Sequence, residues 1–315
     1  MTLPMMISRV PILGFLVLLV FIAGALVSAE PGTVRKQYAA DVAFINVSGQ
    51  PFKIFWQEWK DAGSLRFVAE IPPYDWIHLN SEIGHKFSYQ AVTENDDGEF
   101  LEVQVLEKES TFALGPEHFE VLCSTTEGDI HAHVIPKWSP RGAARFIHMV
   151  DIGFYDGTAL YRVIPKFLTQ FGISANRALN NQWKRRQIPD DPPQEDLAFE
   201  TGFLSYAGSG PNSRTTQVFV VMPETRQSQL NYFGKNPWET PFGYVDAEDV
   251  ENVVAKWYSY GDMPSQGNKG GPDQQRIYQD DGYEYLKNEF PKMSYIQKCR
   301  VVSTEPLPDE EAEEL

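Results

Sequence analysis

Between residues 42 and 114 apolar and polar side chains alternate in short runs. "VAFINVSGQPFKIFWQEW", "LRFVAEIPP", "WIHLNSEIGHKFSYQAV" and "FLEVQVLEKESTFAL" each send every second residue to one side, with turn-forming breaks at Asp61-Ala62-Gly63 and "ENDDGE". A period of two bounded by Gly, Pro, Asn and Asp predicts half-buried strands. Residues 38–114 are therefore expected to form a small antiparallel β-sandwich that ends at the "GPEH" of 115–118.

From Phe119 the periods mix. "FEVLCSTTEGDIHAHVI" reads as a strand, a hairpin turn and a strand. "SPRGAARFIHMVDIG" reads as a helix, capped by Ser139, with Pro140 at its first position and Gly153 just past its end. Strands follow at "TALYRVIP", "GFLSYAG" and "TQVFVVMP", and "YIQKCRVVS" supplies a closing strand. A second helix is expected at "DAEDVENVVAKWYSYG", capped by Asp246, with Ala247, Val250, Val253, Val254 and Trp257 on one face. The tail 305–315, "EPLPDEEAEEL", is acidic and poor in apolar residues and is expected to be disordered.

A chain of 315 residues suits two domains, and 42% hydrophobic residues are enough to build their cores. The net charge of -16 excludes a surface that tracks phosphates, so no nucleic-acid partner is expected. The cluster "WKRR" at 183–186 reads as a solvated loop. Residues 1–29 differ in kind: Arg9, an uncharged apolar run from Val10 to Val27, and a small-x-small site after Ala29. This is the pattern of a secretory signal. The run exceeds the usual ~7–15 residues, so an uncleaved anchor through 10–27 is the alternative. Either reading sends the body to the secretory pathway, in the endoplasmic reticulum lumen or outside the cell, or held by a single-pass tether. Cys123 and Cys299 are the only cysteines and make either one bridge or two buried free thiols. The sequon Asn46-Val47-Ser48 is usable only if its strand end is exposed. His131 and His133 share one face of a strand but lack a third ligand in the sequence, so neither a metal nor a cofactor is expected.

Arg162 stands out because it is embedded in "TALYRVIPKFLTQFG". Burying a lone guanidinium costs several kcal/mol, so it must be ion-paired, snorkelling to water, or held at a pocket rim for use. Together "GFYDGTALYRVIPKFLTQFG", "GFLSYAGSGPNSRTTQVFVV", "PFGYV" and "EFPKMSYIQKCRVV" resemble the cyclophilins, over residues 120–304 in collinear order. The resemblance implies a mainly β fold, a closed eight-stranded antiparallel barrel capped by two helices, and peptidyl-prolyl cis-trans isomerase activity on proline-containing clients. It also implies roles: Arg162 catalytic, Gln170 steering it, Phe167, Leu168 and Phe219 lining a proline slot, and Gln217, Ala207 and Gly208 contacting the substrate chain. Gln229 and Glu239 stand where many members carry tryptophan and histidine, which implies a wider, more acidic mouth unless Trp238 refills it. A non-catalytic proline-peptide scaffold is the alternative. A guanidinium locked in a salt link inside the barrel wall would remove the enzymatic reading.

A second resemblance joins "FINVSGQPFKIFWQEW", "IPPYDWIHLNSEIGHKF" and "VTENDDGEFLEVQV" to the β-domain of the von Hippel–Lindau tumour suppressor. It implies a hydroxyproline pocket at Trp56, Ser81, His85 and Phe87, with Phe67 or Val68 where that family has tyrosine.

Overall fold

The computed structural model describes residues 20–21, 38–58, 64–95, 97–194, 197–267 and 270–307. The expected signal segment lies outside these residues apart from Val20–Phe21, as does the tail from 308. Among the described residues no helix is long and apolar enough to cross a membrane. The chain divides into two compact units, Met1–Gly115 and Pro116–Leu315.

The first unit is a sandwich of two four-stranded sheets. Its strands are β1 (Val20–Phe21), β2 (Ala39–Asn46), β3 (Phe52–Gln57), β4 (Leu65–Ile71), β5 (Trp76–Glu82), β6 (Lys86–Ala91), β7 (Leu101–Gln104) and β8 (Glu109–Leu114). One sheet has the order β1-β5-β2-β8 and the other β4-β3-β6-β7. Period-two alternation sends Val42, Phe44, Ile54, Ile71, Leu79, Phe87 and Leu114 into one core between them. The expected all-antiparallel pairing needs correction, since β8 runs parallel to β2 and β1 parallel to β5. β8 crosses over from the other sheet rather than folding back through a hairpin, and only a hairpin forces antiparallel pairing. The sequon is sealed: Asn46 is fully buried, and its amide nitrogen donates to the carbonyls of Gln50 and Pro72 at 2.7 and 2.9 Å.

The second unit is an eight-stranded antiparallel sheet. It contains β9 (Phe119–Thr125), β10 (Gly128–Val134), β11 (Arg162–Ile164), β12 (Leu168–Phe171), β13 (Phe203–Tyr206), β14 (Val218–Val221), β15 (Gly243–Val245) and β16 (Ile296–Ser303), in the order β11-β12-β14-β13-β15-β10-β9-β16. The sheet curls until its edges meet, but the ladder does not close strand on strand. A single antiparallel bridge between Ala159 and Tyr295 joins the ends.

Helices α1 (Pro140–Asp151), α2 (Arg177–Trp183), α3 (Gln227–Leu230), α4 (Ala247–Asn252), α5 (Gln274–Ile277) and α6 (Gly282–Glu289) complete the unit. Ser139 occupies the cap position of α1 without capping it; its hydroxyl donates to Asp191 instead. The Asp191 carboxylate accepts the first-turn N–H groups of Arg141 and Gly142 at 3.0 and 2.9 Å, replacing the local cap. The helix expected after Asp246 is shorter than its pattern. It ends at Asn252, and a 3₁₀ turn over Val254–Lys256 follows, where adjacent β-branched valines disfavour the α conformation. Val250, Val253, Val254 and Trp257 are nevertheless buried as expected, while Ala247 is exposed.

Candidate active site

Antiparallel register builds the site. Arg162 on β11 faces Gln170 on β12, and Gln170 faces Phe219 on β14, so the three side chains form a row on one side of the sheet. Residues two places along join the same side: Leu168 and Val221 pack with Phe219, and Gln217 stands beside it. The intervening Val163, Val218 and Val220 fill the barrel core.

Arg162 proves to be ion-paired. Its Nε donates to Asp262 Oδ1 at 2.7 Å, its Nη2 to Asp262 Oδ2 at 3.1 Å and its Nη1 to Gln170 Oε1 at 3.0 Å. The partner comes from the loop after Trp257, not from the barrel wall. Both side chains keep some exposure, 14% for Arg162 and 21% for Asp262. Three of the five guanidinium N–H groups are used, leaving one on each terminal nitrogen without a partner among the described residues.

Gln217 is a hub. Its Oε1 accepts from Tyr161 Oη, from Gln170 Nε2 at 2.9 Å and from Gln274 Nε2 at 2.7 Å, while its Nε2 donates to Tyr278 Oη at 2.7 Å. Its carbonyl oxygen is thus spent inside the chain, leaving one amide N–H for a substrate. Burial pushes the Tyr161 hydroxyl well up and the Tyr278 hydroxyl up to about 12, so both remain proton donors. Asp262, Gln274 and Tyr278 were not identified from sequence; all three lie outside the motifs that carry the resemblance.

The apolar side of the site is more crowded than the motifs imply. Phe167, Leu168 and Phe219 do come together, joined by Leu230 and by Phe233, whose ring lies nearly parallel to Phe167 and Phe219 at 5.2 Å from each. Trp238 packs against Gly208, where an added Cβ would stand 2.4 Å from the indole. The expected wider mouth is therefore corrected. Without the family's tryptophan, Phe219 is buried under the rings of Phe199 and Phe233, while Trp238 covers Gly208. Gln229 is only half-buried, and burial raises the pKa of the Glu239 carboxyl, with Asn236 hydrogen-bonded to it. Ala207 packs on the same cluster, and its N–H donates to the Gln217 carbonyl.

Elsewhere in this unit Cys123 and Cys299 form a disulfide between β9 and β16. A buried ion cluster joins Arg214 and Arg141 to Asp191, at 3.0 and 3.3 Å. His131 and His133 project together as expected, and each meets an aspartate from the β15–α4 corner: Asp249 at 2.9 Å and Asp246 at 2.8 Å. In the first unit Ser81 Oγ lies 3.0 Å from His85 Nδ1, and the Trp56 ring lies 5.7 Å from that imidazole with its N–H buried and unpartnered among the described residues. Phe87 is fully buried, below that surface, and Phe67 is 53% exposed. Phe87 therefore belongs to the core and does not line an open cage.

The family model described as cyclophilin type peptidyl-prolyl cis-trans isomerase/CLD matches residues 119–278, a little over half of the chain. A Staphylococcus aureus protein whose name assigns it to the peptidyl-prolyl cis-trans isomerases is 30% identical over 129 residues, 41% of this chain and 64% of the relative. A Streptococcus pyogenes protein, named for bifunctional phosphatase and peptidyl-prolyl cis-trans isomerase activity, is 28% identical over 41% of this chain and 28% of its own length. The match thus spans less than two thirds of these relatives. A crystal structure of a Cryptosporidium parvum cyclophilin-type isomerase aligns with TM-score 0.41 and 18% identity, over 60% of this chain and 99% of that one. By the matched family model, carried on the sheet that holds Arg162, Gln170 and Phe219 in one row, the chain belongs to the cyclophilin-type peptidyl-prolyl cis-trans isomerases.

Proposed function

We propose that residues 120–304 catalyse cis-trans isomerisation of X-Pro bonds. The observation that carries this reading is the Arg162 guanidinium, anchored beside the Phe219 cluster with a free N–H on each terminal nitrogen. An X-Pro amide turns slowly because resonance stiffens its C–N bond, with a barrier of ~18–20 kcal/mol. Half-way round, the proline nitrogen becomes pyramidal and acquires a lone pair absent from the planar ground state. A guanidinium N–H aimed at that nitrogen bonds the twisted state better than either planar one, and each ~1.4 kcal/mol of such preference is tenfold in rate. Proline ring contact falls to the half-buried Phe167, since Phe233 already lies over the buried Phe219. The chain's own groups move no proton and form no covalent bond. A protease-coupled isomerisation assay tests the reading: wild type should exceed Arg162→Ala at least tenfold, and equal rates would remove it.

A second reading, a non-catalytic proline-peptide scaffold, is favoured by the Asp262 carboxylate, which offsets the charge that catalysis would use. The same assay separates the two. The Cys123–Cys299 bridge supports an oxidising compartment, in line with the apolar run at 10–27. For the front unit, the Ser81–His85 pair beside the unpartnered Trp56 N–H supports capture of a hydroxylated proline ring, because buried polar groups reject a ligand that leaves them unbonded. Equal affinity of the full chain for paired proline and hydroxyproline peptides would remove that part.

A further inference from the structure

The segment from Tyr258 to Tyr278 sends three polar side chains into the site row: Asp262 to Arg162, and Gln274 and Tyr278 to Gln217. Asp262 itself is firmly held. Its Oδ1 accepts the Met263 N–H at 2.7 Å, and its carbonyl accepts the Gly271 N–H at 3.0 Å. Ser259 Oγ ties the loop to the Val163 carbonyl at 2.6 Å, one residue from Arg162, and accepts the Gly261 N–H. Met263 is buried in a cluster with Ala159 and Tyr161. Gly271 is required for this closure, since a Cβ there would stand 2.6 Å from the Gly261 carbonyl and 2.8 Å from that of Asp262.

We propose that Asp262 is a positioning residue for the isomerase, a role that rests on the function proposed above. An arginine on a three-carbon stem has many rotamers, and an N–H aimed at a transient lone pair works only if its direction is fixed beforehand. Asp262 grips the guanidinium along its Nε–Nη2 edge and Gln170 holds Nη1. Rotation about the last two side-chain bonds is then blocked, and the remaining N–H groups keep one orientation. The carboxylate offsets the guanidinium's positive charge, but a hydrogen bond to a neutral amine lone pair needs direction more than charge. The long loop, absent from the site motifs, thereby becomes part of the machinery.

The experiment measures kcat and KM separately for Asp262→Ala and Asp262→Asn beside wild type and Arg162→Ala, with thermal melts as the fold check. Asp262→Ala should lower kcat roughly tenfold with KM within about twofold, because the slot and backbone grips are untouched. Asp262→Asn keeps an acceptor for Nε and should recover part of the loss. In NMR spectra the Arg162 Nε proton should exchange slowly with water in wild type and in Asp262→Asn, and fast in Asp262→Ala. That second readout holds even if the alanine variant is less stable. Wild type no faster than Arg162→Ala would remove the isomerase reading and this inference with it. Wild type well above Arg162→Ala, with Asp262→Ala equal to or faster than wild type, would overturn this inference alone.

Discussion

Removing the Cys123–Cys299 bridge should cost the second unit far more than two thiols' worth of packing. The two residues face each other in register on β9 and β16, and both are buried. They lie 176 residues apart in the sequence, so the bond closes almost the whole unit into one covalent ring. The loop-closure relation gives about 5 kcal/mol at 25 °C for a ring of that size, as an upper figure, since residual structure in the unfolded chain lowers it. At about 2–4 °C per kcal/mol for a unit of this length, the thermal midpoint should fall by about 10–20 °C. Differential scanning calorimetry of Cys123→Ala/Cys299→Ala, and of wild type with and without reductant, measures this directly. The native ladder between β9 and β16 does not depend on the sulfurs, so the folded state should keep its near-ultraviolet spectrum. Any transition of the first unit should be insensitive to reductant, because that unit contains no cysteine. A midpoint shift below about 3 °C in the double variant would show that the ring entropy is not what holds the unit together.

Asp191→Asn should destabilise this unit by about 3–5 kcal/mol, because Arg141 and Arg214 would lose the carboxylate buried between them and Arg214 would keep only Asp190, at 3.5 Å; a midpoint shift under about 3 °C would contradict it. Burial works to raise the pKa of Asp191, but Arg214, Arg141, Ser139 and the Arg141 N–H together outweigh it and hold it below the usual carboxylate range. Its stabilisation is therefore full above pH ~4 and is lost as pH falls through the lowered value. His148 has the opposite chemistry: burial first, then Arg145, lowers its pKa to about 4. Between pH ~6.5 and about 4 the unfolded chain takes up a proton that the folded chain refuses, so stability is lost as the pH drops through that window. His148→Gln should flatten this acid limb in denaturant titrations, and an unchanged slope would exclude the mechanism. His131 is raised, mainly by its bond to Asp249, so its contribution is present below pH ~6.5 and fades as pH rises through the folded value. His131→Ala should remove that alkaline decline in the same titrations.

What was legible in the sequence follows the range of each interaction. Alternation in "VAFINVSGQPFKIFWQEW" and "LRFVAEIPP" predicted strands because a period of two is set by neighbours along the backbone, and four collinear motifs carried the resemblance. Gln170 is eight residues from Arg162, and the resemblance to the cyclophilins implied their pairing. The α4 helix was overextended because periodicity reports which face is buried, not where the backbone tightens into a 3₁₀ turn. The aromatics Phe233 and Trp238 were visible, but nothing local aimed them at Phe219 and Gly208.

The sequence by itself determined two β-rich units, and through its resemblance to the cyclophilins it singled out Arg162, since these rest on residue order and short spacings. Only the tertiary structure decided that this cation is held by Asp262, 100 residues away. It likewise decided that Asp191 caps a helix that starts 51 residues earlier, that the two thiols are joined, and that Asn46 is sealed from glycosylation. Such partners are chosen by the path of the folded chain, along which distant residues meet whose local sequence carries no record of one another.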